Sequence, residues 1–294
     1  MAVINGTSKA DIIKGTGAAD LTSGQTLQDQ INGLGGNDKI SGSTGDDTIY
    51  GSSGDDTIDG SDGNDEIWGG TGDDTIIDGA GDDLVMAGEG DDTMMSGAGN
   101  DTYEGGKGFD TLDFSGIKGA VTIDMNRGDA SSFTTGTDKF KDVEKVIGTS
   151  YSDVIKGSQF DDVIEAGNGD NVIRGGAGSD IMTGGDDHDT FAWKSWDVVD
   201  ATGASRGVDT IHGFNSGNDT LDIRSLLSGL KTAGFDLKGE NLDSYVHLTD
   251  TDAGTLLQVD MTGTGKFVDV ALLADLHTGG ATASAWASDI SMLA

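Results

Sequence analysis

Aspartate returns at every ninth residue along the first part of this chain, at Asp38, Asp47, Asp56, Asp65, Asp74, Asp83, Asp92, Asp101 and Asp110. The cleanest surroundings read GSTGDDTIY from Gly42, GSSGDDTID from Gly51, GSDGNDEIW from Gly60 and GGTGDDTII from Gly69. A carboxylate at a fixed place in a repeated unit repeats one chemical site along a stack. A site whose recurrent side-chain donor is a carboxylate oxygen suits a hard cation. The charge balance points the same way. From Ile40 to Gly106 there are 18 Asp or Glu residues and no Lys or Arg, in a chain of formal net charge -35. Carboxylates fixed side by side without counter-ions repel one another. Nucleic acid is excluded as a partner, because binding its phosphates takes a basic surface.

Other chemistries find little support. Paired carboxylates serve glycoside hydrolysis, but recurrence at nine residues favours metal ligation over a single two-carboxylate site. The four histidines, His188, His212, His247 and His277, form no HExxH zinc motif. GASRG, from Gly203 to Gly207, matches the GxSxG nucleophile pattern but lacks an obvious strand–turn–helix frame. In a chain with 50 glycines it reads as coincidence. No catalytic residue is assigned, and the chain is read as non-enzymatic.

The elements that must position these carboxylates follow from the rest of the unit. With glycine at position 1 and aspartate at position 6, position 8 is apolar: Ile40, Ile49, Ile58, Ile67, Ile76, Val85, Met94, Tyr103 and Leu112. Nine consecutive units fit from Gly33 to Asp113. Three degraded units from Gly6, Gly15 and Gly24 precede them, keep Asp11, Asp20 and Asp29, and read as a terminal cap. The phase breaks at Phe114. Residues 114–147 form an insert with strand-like stretches such as AVTIDM. Five more units run from Gly148 to Ala192, with Asp153, Asp162, Asn171, Asp180 and Asp189 at position 6.

Positions 1–6, rich in glycine and aspartate, suit tight turns with positive φ. Positions 7–9 suit a three-residue strand whose middle side chain faces inward. Two units then make one 18-residue coil with two short parallel strands. The predicted fold is all-β, a parallel β-roll in two blocks: a first roll over 1–113 with its degenerate cap at 1–32, a β insert over 114–147, and a second roll over 148–192. A β-rich C-terminal capping domain fills 193–294. Trp193 and Trp196 read as an apolar lid on the second block, and VDVALLADL as a helix or a strand of the tail. One buried apolar side chain per nine ordered residues is too little to offset the loss of backbone entropy. Bound metal must stabilise the roll.

The units match the GGxGxDxUx nonapeptide and resemble the RTX (repeats-in-toxin) family of calcium-binding β-rolls. The resemblance covers roughly residues 1–192. It implies multiple Ca²⁺ ions between successive turns, held by position-6 carboxylates and by backbone carbonyls of turn residues such as Gly45, Gly54, Gly63, Gly72, Gly81, Gly90 and Gly99. One side would use Asp38, Asp56, Asp74, Asp92 and Asp110, the other Asp29, Asp47, Asp65, Asp83 and Asp101. In the second block the carried-over ligands are Asp153, Asp162, Asp180 and Asp189. Asn171 stands where a carboxylate belongs, and Asp187 and His188 disturb the turn before Asp189; both departures argue against a complete site.

The tail segments GVDTIHGFNSGNDTLDIRSLL and TLLQVDMTGTGKFVDVALL resemble the C-terminal domain of RTX proteins exported by type I secretion. The end, SDISMLA, is similar to the uncleaved signal of that machinery, with Asp289 before Ile290, Met292 and Leu293. The N-terminal stretch MAVINGTSKADIIKG lacks a cleavable export signal, which alone suggests the cytoplasm. The tail places the protein outside the cell. No run of 18 apolar residues suits a membrane span. The resemblance further implies a secreted, adhesive or structural element at a bacterial surface or in a biofilm, with acidic polysaccharide as a partner. Membrane-active nodulation-type RTX proteins are the alternative, and a polysaccharide-modifying enzyme the third reading.

Overall fold

A computed structural model describes residues 2–6, 9, 12–14, 28–232, 239–274, 276–280, 285 and 290–291. Asp11, Asp20, Asp289, Met292 and Leu293 lie outside them. The chain forms two compact units, Met1–Thr149 and Ser150–Ala294.

The first unit is a parallel β-roll. One sheet runs through Ala2–Asn5, Asp29–Asn32, Thr48–Ser53, Glu66–Thr71, Leu84–Glu89 and Thr102–Lys107, each strand parallel to the next. The other runs through Ile12–Lys14, Lys39–Ser41, Thr57–Asp59, Thr75–Ile77, Thr93–Met95, Thr111–Asp113 and Lys145–Ile147. Partners are 18 residues apart: Ile49 pairs with Ile67 and Ile67 with Val85, while Ile58 pairs with Ile76. Every position-8 side chain from Ile40 to Leu112 is at most 3% exposed. These side chains alternate with less buried neighbours, polar ones such as Thr57 and Asp59 and apolar ones such as Trp68 and Met86, and the period of two puts the ladder between the sheets.

The turns are closed by backbone stacked on backbone. Gly63 has φ 141°, and a Cβ there would collide with the Gly45 carbonyl one coil back. Only glycine adopts that dihedral freely and leaves that space. From Thr48–Ser53 to Thr102–Lys107 the strands of the first sheet extend to six residues because positions 2 and 3 of alternate units also pair, Ser52 with Gly70 and Ser53 with Thr71.

The stretch 114–147 divides in two. Residues 136–147 complete another coil, with Tyr103 opposite Phe140 and Leu112 opposite Val146. The rest is an antiparallel hairpin, Val121–Asp124 with Asp129–Ser132, that extends the first sheet beyond Gly136–Lys141, and Phe114, Ile117 and Ile123 are buried.

The second unit has the same construction. Val154–Lys156, Val172–Arg174, Thr190–Ala192, Thr220–Asp222 and Ile290–Ser291 form one parallel sheet. Val163–Glu165, Ile181–Thr183, Asp209–His212 and Val268–Ala274 run parallel in the other, which continues antiparallel through Gly254–Val259 and Val246–Thr251. The segment VDVALLADL therefore contains a strand. The roll does not stop at Ala192, so Trp193 does not cover an open end: it is buried, and its indole N–H donates to Asp209 Oδ2 at 2.7 Å. Trp196 is exposed, beside Arg174 and Lys194.

Candidate metal sites along the stack

Each position-6 aspartate sits at the end of a turn and points its carboxylate back under the stacked backbone. The Oδ1 atom accepts the N–H of the position-6 residue one coil earlier. On one side the chain of bonds runs from Asp29 to Asp47, Asp65, Asp83, Asp101 and Asp138, at 2.7–3.1 Å. On the other it runs from Asp38 to Asp56, Asp74, Asp92, Asp110 and Glu144, at 2.7–3.0 Å. In the second unit, Asp153 bonds Asn171, Asn171 bonds Asp189 and Asp189 bonds Asp219; Asp162 bonds Asp180 and Asp180 bonds Asp209. The predicted aspartates are thus brought into rows, two in each unit.

The second oxygen has no such donor. Oδ2 of Asp47, Asp56, Asp65, Asp74, Asp83, Asp92, Asp110, Asp180 and Asp189 is buried without a hydrogen-bond partner. Buried anionic oxygens are costly unless paired. Most lie at a glycine cradle, while Asp78 and Ala87 take the place of that glycine before Asp83 and Asp92. A Cβ on Gly42 would be 2.7 Å from Asp47 Oδ2 and 2.6 Å from the Gly60 carbonyl oxygen, so two acceptors converge on space that glycine leaves free. The seven turn carbonyls singled out in the sequence, from Gly45 to Gly99, each face the corresponding glycine of the next coil, Gly136 in the case of Gly99.

Burial raises the carboxyl pKa values. It pushes Asp65 and Asp74 up to about 7 and Asp47, Asp83 and Asp110 up to about 6, against the lowering effect of the backbone N–H each accepts. Such a group needs a proton or a cation. The donor set is entirely oxygen, anionic and carbonyl, which fits calcium.

Asn171 supplies an internal contrast. Its Nδ2 donates to the Gly167 and Gly184 carbonyls, each at 3.3 Å. The amide satisfies carbonyl oxygens with its own N–H groups, where a carboxylate would add another acceptor. Asp189 keeps its unpartnered Oδ2 despite the disturbed turn, and Asp162 Oδ2 accepts the Ser158 N–H at 2.5 Å. GASRG is exposed, with the Ser205 hydroxyl directed at the Gly207 carbonyl at 3.2 Å.

Four row members were not singled out from sequence: Asp138, Glu144, Asp209 and Asp219. The local triplets DKF, DTI and DTL carry the position-6-to-8 signature in GTDKF, GVDTI and GNDTL. Glu144 precedes Lys-Val in the same way but with a longer carboxylate.

The RTX calcium-binding nonapeptide repeat model, four copies long, matches residues 23–58, 32–67, 59–94, 77–112, 147–182 and 156–191. No curated protein matches the chain. Among solved structures, the chain is similar to the extracellular lipase LipA from Serratia marcescens, at 18% identity and a TM-score of 0.27. That likeness covers 88% of this chain and 45% of the lipase, so the chain spans less than half of that protein's length.

Proposed function

Residues 23–112 and 147–191 are RTX calcium-binding nonapeptide repeats, and on that premise we propose that this chain is a secreted, non-enzymatic protein that folds on extracellular calcium and serves as an adhesive or structural element. The observation that carries the reading is the series of buried, unpartnered Oδ2 atoms at glycine cradles. Position-6 aspartates, with the turn carbonyls facing the next coil, hold the ions. Calcium supplies positive charge that the acidic turns lack. The chain's own residues do the rest. Glycines leave room, Oδ1 atoms lock successive coils, and the position-8 ladder sets the spacing.

Extracellular calcium modules work at about 10⁻⁴–10⁻³ M calcium. A chain whose fold depends on sites of that affinity stays unfolded at the far lower calcium of the cytosol, a state suited to threading a type I export channel. Outside, calcium binding and folding become one event. Among the described residues no helix is long and apolar enough to cross a membrane. An acidic surface carrying rows of divalent ions suits bridging to acidic polysaccharide or to a cell surface.

Circular dichroism at pH 8 tests the folding step. The chain is expected to be largely disordered in excess chelator and β-rich in millimolar calcium; a β-rich spectrum in chelator would sink the proposal. Attachment assays address the role. A strain lacking the protein is expected to lose surface attachment, and the purified protein to leave liposomes intact. Dye release from those liposomes would favour a membrane-active protein instead.

A further inference from the structure

Three position-1 residues of the first block are not glycine, namely Asp78, Ala87 and Ser96, and of these Asp78 alone brings a carboxylate. Position 1 is glycine at Gly33, Gly42, Gly51, Gly60 and Gly69, but the next unit begins with Asp78. Its side chain is fully buried. Asp78 Oδ1 accepts the Gly79 N–H at 2.6 Å, and Oδ2 accepts the Tyr103 hydroxyl. That hydroxyl also lies 3.3 Å from Asp101 Oδ2.

The neighbouring residues make room for this carboxylate. A Cβ at Gly60 would be 3.1 Å from Ile67 Cδ1, the position-8 residue of the same unit. In the Asp78 unit position 8 is Val85, which has no Cδ1. One carboxylate oxygen from each of Asp78, Asp83 and Asp101 lies within 4.8 Å of the others, and all three residues are buried. Asp83 Oδ2 is buried and lacks a hydrogen-bond partner, and Ser96, the residue stacked one coil beyond Asp78, is buried as well. The Ser96 side chain faces Tyr103. No Lys or Arg occurs between Ile40 and Gly106 to neutralise such a cluster.

We propose that Asp78 is an additional carboxylate ligand, found at no other glycine cradle of the first block, and that it makes the cation site shared by Asp83 and Asp101 the tightest of its row. Affinity for a hard divalent cation rises with the number of charged ligands and with the rigidity of the site. Here a third carboxylate joins two, and the Tyr103 hydroxyl and the Gly79 N–H hold it in place. The ion at this site binds first and leaves last. The proposal rests on the reading that the aspartate rows bind calcium, and it concerns only which site dominates.

Release kinetics from the folded, loaded full-length chain test it. The protein is loaded with Tb³⁺ in place of calcium and mixed with excess chelator, while the emission sensitised by nearby aromatic rings is followed. The slowest phase is expected to correspond to one ion and to carry emission excited through Tyr103. Asp78→Gly restores the residue of the neighbouring cradles, and Asp78→Asn keeps the shape without the charge. Both are expected to speed the slowest phase by about tenfold or more, with the number of ions released unchanged. Tyr103→Phe is expected to remove most of the emission of that phase.

If both Asp78 variants release their slowest ion within about twofold of the parent, the carboxyl carries a proton shared with Tyr103 rather than a cation, and the proposal is overturned. That outcome leaves calcium binding by the rows intact. A parent chain that binds neither Tb³⁺ nor Ca²⁺ overturns both readings together.

Discussion

At the scale of single residues, a division of labour within most position-6 carboxylates accounts for the recurrence of aspartate. Oδ1 is used by the fold, as the acceptor for the preceding coil, and the buried Oδ2 that lacks a donor is, on the proposed reading, the ligand of the ion. Asparagine preserves the first role and replaces the second with a donor, as Asn171 shows. Asp74→Asn is therefore expected to keep the coil register while weakening the sites it shares with Asp56 and Asp92 by on the order of tenfold or more, since charged ligands set the affinity. Asp65 and Asp83 belong to the other row and should be affected only through general loosening. Calcium titration of the variant, followed by counting ions in non-denaturing mass spectrometry, checks this. Equal direct loss on both rows would contradict the 18-residue coil. The converse change, Asn171→Asp, is expected to add one ion to the count, because a buried acceptor then replaces an amide whose hydrogen bonds satisfy the Gly167 and Gly184 carbonyls.

At the scale of the coil, stability resides in the turns as much as in the apolar ladder. Gly63→Ala forces a side chain into a positive-φ position and against the Gly45 carbonyl. Strain of that kind costs about 1–3 kcal/mol, so the melting temperature in saturating calcium should fall clearly. Gly116→Ala is the control, because a Cβ there meets nothing, and its melting temperature should stay near that of the parent. The coil was also the most legible level in the sequence. Strict nine-residue spacing placed the buried ladder from Ile40 to Leu112 and the partners 18 residues apart. Where spacing failed, so did the reading. Asp138 follows Asp101 by 37 residues because an antiparallel hairpin is inserted between them. Asp209 follows Asp180 by 29 because the segment around the short helix Ser195–Val198 intervenes. Strand pairing restores the register there through contacts far apart in sequence, which local composition does not encode. Asp78 was hidden for another reason. Its carboxylate fills a position the repeat assigns to glycine, and only the packed Val85 and Tyr103 reveal what it meets.

At the scale of the molecule, protons and calcium compete for the same task, and pH should therefore control how much calcium the fold requires. Burial raises Asp65, Asp74 and Asp138 to about 7 and Asp47, Asp83, Asp110 and Asp189 to about 6 in the ion-free fold. An unfolded aspartate titrates near ~3.9. A folded pKa above the unfolded one means that the folded chain binds more protons between the two values. Each such group therefore stabilises the ion-free fold fully below ~3.9 and loses that contribution as pH rises through its folded pKa. Lowering the pH also reduces the repulsion within a chain of net charge -35. Calcium-stripped protein should gain β structure as pH falls from 8 to 5, in the absence of any divalent ion. At pH 8 it should require calcium for the same spectrum. Circular dichroism across that range in metal-free buffer reads the effect directly. A calcium-free spectrum that stays disordered at pH 5 would mean that proton uptake does not substitute for calcium, and that the ions do more than neutralise buried carboxylates. They would then be needed to join carbonyl and carboxylate oxygens across each cradle, a role that a proton, with one short bond to donate, does not fill.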